Sequence, residues 1–257
     1  MESKFYDKSI HRMTLILDIL SFHSSGLSFT DINKAACLPK SSLNSILSYL
    51  QEKKMVKYIE ESKKYYFGSY FWELSMNFID NLQIDEIAHP YLEKFRNKHN
   101  KTVQMAILDQ KDIIYLKKIP AFSPMQLASR VGSRIPAYAT GLGKALLSCL
   151  TEEEICYIYP NHKLETYTST TISNRDTLMK ELIKIREKKY ANDFGEYTNG
   201  VYCYAVPIVG FQNRPAFSIS FSMTEAEFNS IKETKIESMV EDLMNYSKEM
   251  NSFIGNF

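Results

Sequence analysis

The sequence has few cysteines, few histidines and no marked excess of either charge. Its 257 residues include four cysteines and five histidines, and 31 basic side chains against 30 acidic ones give a net charge of +1. A net charge near zero argues against a protein that binds polyanions through bulk charge alone. The spacing of the cysteines matches no disulfide framework, so we expect reduced thiols in a cytoplasmic protein.

Long apolar runs and targeting signals are missing as well. No run approaches the ~18 apolar residues that a membrane span needs, and the opening sequence MESKFYDKS lacks the apolar core of a signal peptide. No pair of cysteines or histidines has the C-x-x-C or H-x-x-x-H spacing of common metal sites. We therefore expect no membrane anchor, no metal and no other cofactor.

The most informative stretch is LPKSSLNSILSYL, at residues 38–50. Apolar residues at helical spacing predict that one face of this segment is buried, and these are Leu43, Ile46, Leu47 and Leu50. The other face carries short hydrogen-bonding side chains and a lysine, namely Lys40, Ser41, Ser42, Asn44, Ser45, Ser48 and Tyr49. Such a helix suits the major groove of DNA. An ordinary amphipathic helix would show the same pattern.

The flanking segments favour the DNA-binding interpretation. Ser28 followed by Asp31 predicts the start of a short helix from Thr30 to about Ala36, and a turn at 37–39 precedes the next helix. An apolar stripe from Ile10 to Leu20 indicates an earlier helix. Two β-prone runs, 55–59 and 64–67, enclose a four-residue loop and predict a hairpin. This order is that of a winged helix-turn-helix at 1–68, where 10 basic and 7 acidic side chains give +3.

Residues 69–100 predict linker helices between two domains. They carry two further apolar stripes, and the second is interrupted near His89 and Pro90. A helix in such a position is often a dimer contact, although it could equally pack on its own subunit. The first stripe, which we expect at or near a dimer contact, consists of Phe71, Leu74, Phe78 and Leu82.

The remaining residues, 101–257, predict an α+β domain. We expect strands at 102–108, 113–119, 125–129, 201–209 and 216–223, and helices at 141–150, 152–159, 175–189 and from Thr224 or Glu225 to about Phe253. Paired strands with helices between them indicate an antiparallel sheet with helices on its sides.

Four motifs occur in a fixed order along the chain: LPKSSLNSILSYL, Tyr66-Phe67-Gly68, VGSRIPAYATGLGKALL at 131–147, and the segment from Lys189 to Ser222. Together they resemble the IclR family of transcriptional regulators over nearly the whole chain. The resemblance implies a winged helix-turn-helix, a linker helix and a GAF-like domain that binds an effector. The chain departs from the family pattern at three positions, with Ser45 in place of an arginine, Lys189 in place of a glycine and Gly195 in place of a glutamate.

A ligand site is predicted in the second domain. Ser218, Ser220 and Ser222 alternate with apolar residues, so they share one face of a strand. The opposing strand is apolar on both faces, which indicates that these serines are covered and need a ligand or water as partner. The resemblance implies an effector site made of Leu127, Ile135, Gly141, Leu142, Asp193, Cys203, Ser220 and Ser222. Hydroxyls and the N–H groups of a helix N-terminus suit a small carboxylate.

An enzyme and a metal-dependent sensor are the competing classes. Cys203 or a pocket serine would be the nucleophile of an enzyme, but no histidine lies within 25 residues of Cys203, Ser220 or Ser222 to serve as base. We therefore predict a regulator without catalytic residues, a repressor by resemblance, that binds a palindromic operator in double-stranded DNA as a homodimer or tetramer. The predicted DNA contacts are Lys40, Ser41, Ser42, Asn44 and Ser45, with Lys63 and Lys64 on the hairpin.

Overall fold

The computed structural model describes residues 8–21, 23, 25–71, 73–74, 84–122, 129–210 and 214–254. The chain divides into two compact units, Met1–Ile84 and Asp85–Phe257, and the domain boundaries at 68 and 100 stay a prediction. Residues 125–128 of the third predicted strand lie outside the described residues, as do Phe78 and Leu82. Within the described part of the chain, no helix combines the length and the apolar character that a membrane span requires.

The described residues between 8 and 67 of the first unit form three helices and a hairpin in the predicted order. These elements are α1 (Lys8–Ser21), α2 (Phe29–Ala36), α3 (Lys40–Glu52), β1 (Val56–Ile59) and β2 (Lys64–Phe67), with the two strands antiparallel. Their apolar faces meet in one core of Ile16, Leu20, Ile32, Leu43, Leu47, Leu50 and Val56. The prediction of a winged helix-turn-helix is confirmed.

Local interactions fix the ends of these elements. Ser28 Oγ accepts a hydrogen bond from the Asp31 N–H (3.2 Å) and donates to the Asp31 carboxylate (2.6 Å), so α2 begins one residue earlier than predicted. Gly68 follows β2 at a point where a Cβ atom would lie 1.9 Å from the carbonyl oxygen of Lys54. Only glycine fits at this position, because a side chain would clash with the backbone of the turn that follows α3.

The second unit is an antiparallel sheet flanked by helices. Its described strands are β3 (Thr102–Asp109), β4 (Asp112–Ile119), β5 (Arg134–Pro136), β6 (Ala191–Phe194), β7 (Val201–Val209) and β8 (Pro215–Thr224), in the order β5-β4-β3-β8-β7-β6. Its described helices are α4 (Ile84–His99), α5 (Gly141–Leu147), α6 (Glu152–Ile158), α7 (Arg175–Lys188), α8 (Glu225–Ser230) and α9 (Glu233–Ile254). The predicted α+β class is confirmed.

Two short strands and one helix break were not predicted. β5 and β6 have three and four residues, too few for alternation to be visible in the sequence. The prediction of a single final helix from residue 224 or 225 was wrong, because Ile231 is extended (φ −89°, ψ 139°) and separates α8 from α9. Phe228 explains the break, since its ring packs on the sheet residues Phe194 and Tyr202, at centroid distances of 5.5 and 5.0 Å.

Helices cover both faces of the sheet, as the apolar residues on both faces of β7 indicated. On one face Phe221 stacks on Phe95 of α4, and α9 packs on β7. On the other face α5 packs on β7 and β8, above the row that includes Ala205 and Ser220. Gly143 in α5 permits close packing on the 3-10 turn Ala137–Ala139, because a Cβ there would lie 2.2 Å from the Ala137 carbonyl oxygen.

Candidate functional site

The two faces of α3 differ as the sequence predicted. Leu43, Leu47 and Leu50 are buried in the core of the first unit. The opposite face is polar and exposed at Lys40, Ser41, Asn44, Ser45, Ser48 and Tyr49, while Ser42 is half-buried. The first unit therefore presents a continuous polar helix surface to solvent.

Two of the seven predicted DNA contacts have their side chains hydrogen-bonded within the unit. Ser45 Oγ donates to the Ser41 carbonyl oxygen (3.1 Å), and Lys64 Nζ donates to the Ser25 carbonyl oxygen (3.2 Å). The side chains of Lys40, Asn44 and Lys63 make no hydrogen bond or ion pair with another described residue. These three polar groups are available to an outside partner without giving up an internal contact.

A cavity of about 40 Å³ lies in the second unit, on the face of the sheet that α5 covers. The strand register places Asp193 opposite Cys203, and Cys203 opposite Ser222, so these side chains lie in one row. Four predicted effector residues line the cavity: Ile135, Asp193, Cys203 and Ser222. The lining residues that sequence reasoning missed are Gln104, Tyr115, Ser129, Thr140, Tyr197, Thr198 and Val201.

A chain of hydrogen bonds runs along the cavity wall through Gln104. Gln104 Nε2 donates to Ser129 Oγ (2.5 Å), and Ser222 Oγ donates to Gln104 Oε1 (3.2 Å). Ser222 Oγ also lies 3.1 Å from Cys203 Sγ. One signal could have found Gln104: it is the only amide within β3, on the face opposite its apolar neighbours Val103 and Met105.

The other predicted effector residues lie beside the cavity or outside the described part of the chain. Ser220 is 1% exposed, and its hydroxyl has no hydrogen-bond partner among the described residues. Leu142 packs in the hydrophobic core. Gly141 lies against Asp193, since a Cβ on Gly141 would be 3.6 Å from the Asp193 Cβ. Leu127 lies outside the described residues.

The sequence predicted that a ligand carboxylate would bind at the N-terminus of α5. In the structure, the carboxylate of Asp193 lies there instead. The N–H group of Glu196 donates to Asp193 Oδ1 (2.8 Å), and the backbone N–H groups of Gly141 and Gly195 also stabilise this carboxylate. Thr140 Oγ1 accepts from the N–H of Gly143 (3.0 Å). The helix start therefore serves an internal carboxyl group, and a ligand would meet Asp193 before it met the helix N–H groups.

A buried ion pair lies next to Asp193. Lys144 of α5, only 1% exposed, pairs with Glu196. Burial raises the pKa of Asp193 to about 6, although its backbone hydrogen bonds and the Lys144 ammonium act against that shift. Burial likewise raises the pKa of Glu196 to about 7, against the opposing effect of Lys144. One cation therefore faces two carboxyl groups, and no lysine or arginine is among the described lining residues.

The chemistry of Cys203 is that of a protonated thiol. Burial and the neighbouring Asp193 raise the pKa of Cys203 far above its usual range. No histidine is among the described residues that line the cavity. Within the part of the chain that the structure describes, no three His, Cys, Asp or Glu side chains are grouped as metal ligands would be.

Comparison with known proteins places this fold in a family. Residues 76–250 match the family model described as bacterial transcriptional regulator IclR C-terminal. The chain belongs to the IclR family. It is therefore a ligand-responsive transcriptional regulator, and its predicted class and fold are confirmed.

Relatives of this IclR-family regulator match it over most of their length. The HTH-type transcriptional regulator XynR of Escherichia coli (strain K12) is 32% identical over 215 residues, which are 84% of this chain and 85% of XynR. The transcriptional repressor IclR of the same organism is 26% identical over 235 residues, 91% of this chain and 86% of the repressor.

A solved structure shows the same fold. An IclR homolog from Microbacterium hydrocarbonoxydans, in complex with 4-hydroxybenzoate, superposes with a TM-score of 0.83 at 18% identity, over 97% of this chain and 100% of that one. The roles of individual residues in both candidate sites stay predictions.

Proposed function

We propose that this IclR-family regulator reads operator DNA with α3 and the β1–β2 hairpin, and that a small organic acid in the cavity of the second unit controls this binding. The observation that carries the proposal is the cavity itself. It joins three polar side chains from separate strands, Gln104, Asp193 and Ser222, in a buried space next to α5. Convergent polar groups in a buried cavity mark a candidate small-molecule site.

On α3, Asn44 is the proposed base-reading residue. Its amide is exposed and can pair bidentately with adenine, which gives about 1–3 kcal/mol of discrimination against the wrong base. Lys40 and Lys63 are proposed to contact phosphates, and Ser41 and Ser42 to offer short hydroxyl contacts. We propose that Lys64 instead keeps the hairpin in place, since its ammonium is bonded to the Ser25 carbonyl oxygen. Ser45 would have to release the Ser41 carbonyl oxygen to bond a base.

The proposed effector is a small organic acid that also carries a hydroxyl group. Gln104 has a second amide hydrogen to donate to a carboxylate, and Ser222 and Thr140 can donate to it once they release Gln104 Oε1 and the Ala137 carbonyl oxygen. Asp193 accepts from a hydroxyl, or donates when it is protonated. The cavity of about 40 Å³ holds only a few water-sized groups, so a larger acid requires the wall side chains to move. The 4-hydroxybenzoate bound by the homolog is an acid with a hydroxyl group, which supports this class.

We propose that the protein acts as a cytoplasmic repressor and binds DNA as a homodimer or a pair of dimers. The name of the E. coli repressor supports the direction of regulation. Residues 1–68 have a net charge of +3 and offer few phosphate contacts, and two copies on a palindrome with half-sites about 10 bp apart would double them. Leu74 supports a contact between copies in the linker, since this apolar side chain is 48% exposed.

We propose no catalytic role for the cavity. A thiol whose pKa is raised is a weak nucleophile at neutral pH, and Cys203 is such a thiol. The neighbouring hydroxyl of Ser222 hydrogen-bonds an amide oxygen instead of a base. Both features support a binding site in preference to the enzyme alternative.

Fluorescence anisotropy on a labelled duplex from upstream of its own gene tests the proposed function. We expect binding that is tighter than to a shuffled duplex and that weakens steeply with salt, because phosphate contacts release counterions. One member of a panel of small hydroxy acids should release the duplex without being consumed. Equal affinity for both duplexes, or turnover of the acid, would contradict the proposal.

A further inference from the structure

A second and larger recess lies in the same unit, about 520 Å³ in volume, and we call it the basic groove. It is bordered by the C-terminus of α7, by β7 and by α9. Its floor is apolar, with Ile185, Pro207 and Met244, and its rim carries Arg186, Lys189 and Lys248. None of these residues lines the effector cavity.

The three cations of the basic groove have no carboxylate partner among the described residues. Arg186 uses its guanidinium on the carbonyl oxygens of Ser148 and Leu150, both at 2.8 Å. The ammonium groups of Lys189 and Lys248 form no ion pair with a described residue, and none of the described lining residues is an aspartate or glutamate. Three like charges around one recess repel one another, so an anion placed between them would be stabilised.

A neighbouring recess of similar size has the opposite charge. It measures about 590 Å³, also borders on Met244, and carries Glu233, Glu237 and Glu241. Both recesses offer apolar surface, so burial of apolar area alone would not distinguish them. Charge distinguishes them, and an anion would enter the basic groove and avoid the acidic one.

Lys189 lies at the end of α7, next to the groove. Lys189 ends α7 in the left-handed region, at φ 67°. This conformation is unfavourable for a residue with a side chain and favours glycine. This C-terminal position places the Lys189 side chain on the rim of the groove.

We propose that the basic groove is a second ligand site, for an amphipathic carboxylate or sulfonate. Its charged group would lie between Lys189 and Lys248, and its apolar body would lie on Ile185, Pro207 and Met244. The site is independent of the proposed effector cavity, so either proposal can fail alone.

The test uses full-length protein and the dye 8-anilinonaphthalene-1-sulfonate, an apolar body with one negative charge, with octanoate as competitor. The double variant Lys189→Glu/Lys248→Glu should bind the dye at least about tenfold more weakly than the wild type. The matched control, Lys180→Glu/Lys235→Glu, makes the same charge change at exposed lysines outside both recesses and should change the affinity less than about twofold. Octanoate should displace the dye from the wild type.

Three results would overturn the proposal. The dye affinity could be unchanged in Lys189→Glu/Lys248→Glu, it could fall equally in both double variants, or octanoate could fail to displace the dye. Sedimentation velocity adds a fourth: a changed oligomeric state at unchanged dye affinity would mean that a second copy covers the groove. A thermal melt establishes that each variant is folded, and Lys248→Glu alone, at an exposed helix position, replaces the double variant if that one does not fold.

Discussion

Ser220 and Ser222 lie two residues apart on β8, yet their hydroxyl groups have different surroundings. The Ser222 hydroxyl bonds Gln104 and approaches Cys203, whereas the Ser220 hydroxyl is buried without a partner among the described residues. A satisfied hydrogen bond contributes about 1 kcal/mol to stability, and a buried unsatisfied group costs about 1–3 kcal/mol. The two serines therefore affect stability in opposite directions.

Alanine at each serine tests this difference. Ser222→Ala should lower the free energy of unfolding by about 1 kcal/mol, because Gln104 loses a partner. Ser220→Ala should leave it unchanged or raise it by up to about 1 kcal/mol, because it removes a buried hydroxyl that has no described partner. Urea unfolding followed by circular dichroism measures both values. Equal destabilisation by the two changes would mean that the Ser220 hydroxyl has a partner.

The raised pKa values of the acidic pair make stability depend on pH. The pKa of Asp193 is about 6 and that of Glu196 about 7 in the folded protein, above their unfolded values of 3.8 and 4.5. The folded state therefore holds more protons than the unfolded state between these values. The stability from these groups is fully present below about pH 4 and is lost as the pH rises through about 6 to 7.

The variant Asp193→Asn isolates the contribution of one carboxyl group to the pH dependence of stability. We expect the free energy of unfolding of the wild type minus that of the variant to depend on pH. This difference should be larger at about pH 5 than at about pH 7.5, by on the order of 1–3 kcal/mol. The substituted amide cannot ionise, so the variant lacks this dependence, although the amide oxygen can still accept from the Glu196 N–H. Asp109→Asn, at a side chain that is 43% exposed and paired with Arg134, is the control and should show little dependence on pH, because the arginine stays charged. A difference that does not change with pH would contradict the burial of an ionisable Asp193.

At the scale of elements, α5 depends on one of its two glycines. A Cβ at Gly143 would lie 2.2 Å from the Ala137 carbonyl oxygen, whereas a Cβ at Gly141 would make ordinary contacts at 3.6–3.7 Å. Gly143→Ala should therefore lower the free energy of unfolding by at least about 1–3 kcal/mol, and Gly141→Ala by less than about 1 kcal/mol. Thermal melts of the two variants side by side measure this. Comparable melting temperatures would contradict the packing of α5 on the 3-10 turn.

The backbone at the C-terminal end of α7 is strained, because Lys189 is in the left-handed region. Lys189→Gly should raise the free energy of unfolding by about 1 kcal/mol, because glycine adopts the left-handed conformation at φ 67° without steric cost. Lys188→Gly, one residue earlier and still helical, should lower it by about 1 kcal/mol. Denaturant unfolding measures the change in the free energy of unfolding for each variant, including its sign. A destabilised Lys189→Gly variant would mean that the Lys189 side chain contributes more than its backbone costs.

Elements with a clear period could be predicted, and those set by tertiary contacts could not. The bounds predicted for β2 and β7 match those observed, because each is a β-prone run with turn residues at its ends. Among the described strands, β6 pairs with β7 alone, and it contains Asn192 and Asp193, which do not favour strands. Its position depends on that pairing. The break before α9 depends on how Phe228 packs, which no local pattern reports.

The residues of the cavity also divide into those that the sequence predicts and those that depend on tertiary contacts. Asp193, Cys203, Ser222 and Ile135 were predicted from the resemblance and from strand alternation, and all four line it. Gln104 and Ser129 were missed because their relevance depends on contacts between segments distant in sequence, such as the hydrogen bond that Ser222 donates to Gln104. The position of Asp193 at the start of α5 was also invisible, since the sequence does not show which carboxylate meets a helix N-terminus.

At the scale of the whole molecule, the two proposed sites lie in separate units. The first has a polar exposed helix face and a net charge of +3 over residues 1–68, and the remaining residues carry 21 basic and 23 acidic side chains, a net charge of −2. Basic charge is thus located where phosphates would be bound, and the cavity lies in the other unit. This division is what a ligand-responsive regulator of the IclR family requires, because binding in one unit must change binding by the other.

One measurement tests this coupling most directly: operator anisotropy with and without the releasing acid, for the wild type, Asn44→Ala and Ser222→Ala. The wild type should bind the operator and release it when the acid is added. Asn44→Ala should lose about 1–3 kcal/mol of operator discrimination, while it still binds the acid in calorimetry. Ser222→Ala should bind the operator normally and need at least about tenfold more acid for release, since a hydrogen bond to a charged group contributes about 1.5–3 kcal/mol. Unchanged operator discrimination in Asn44→Ala, or unchanged acid response in a folded Ser222→Ala, would contradict the account.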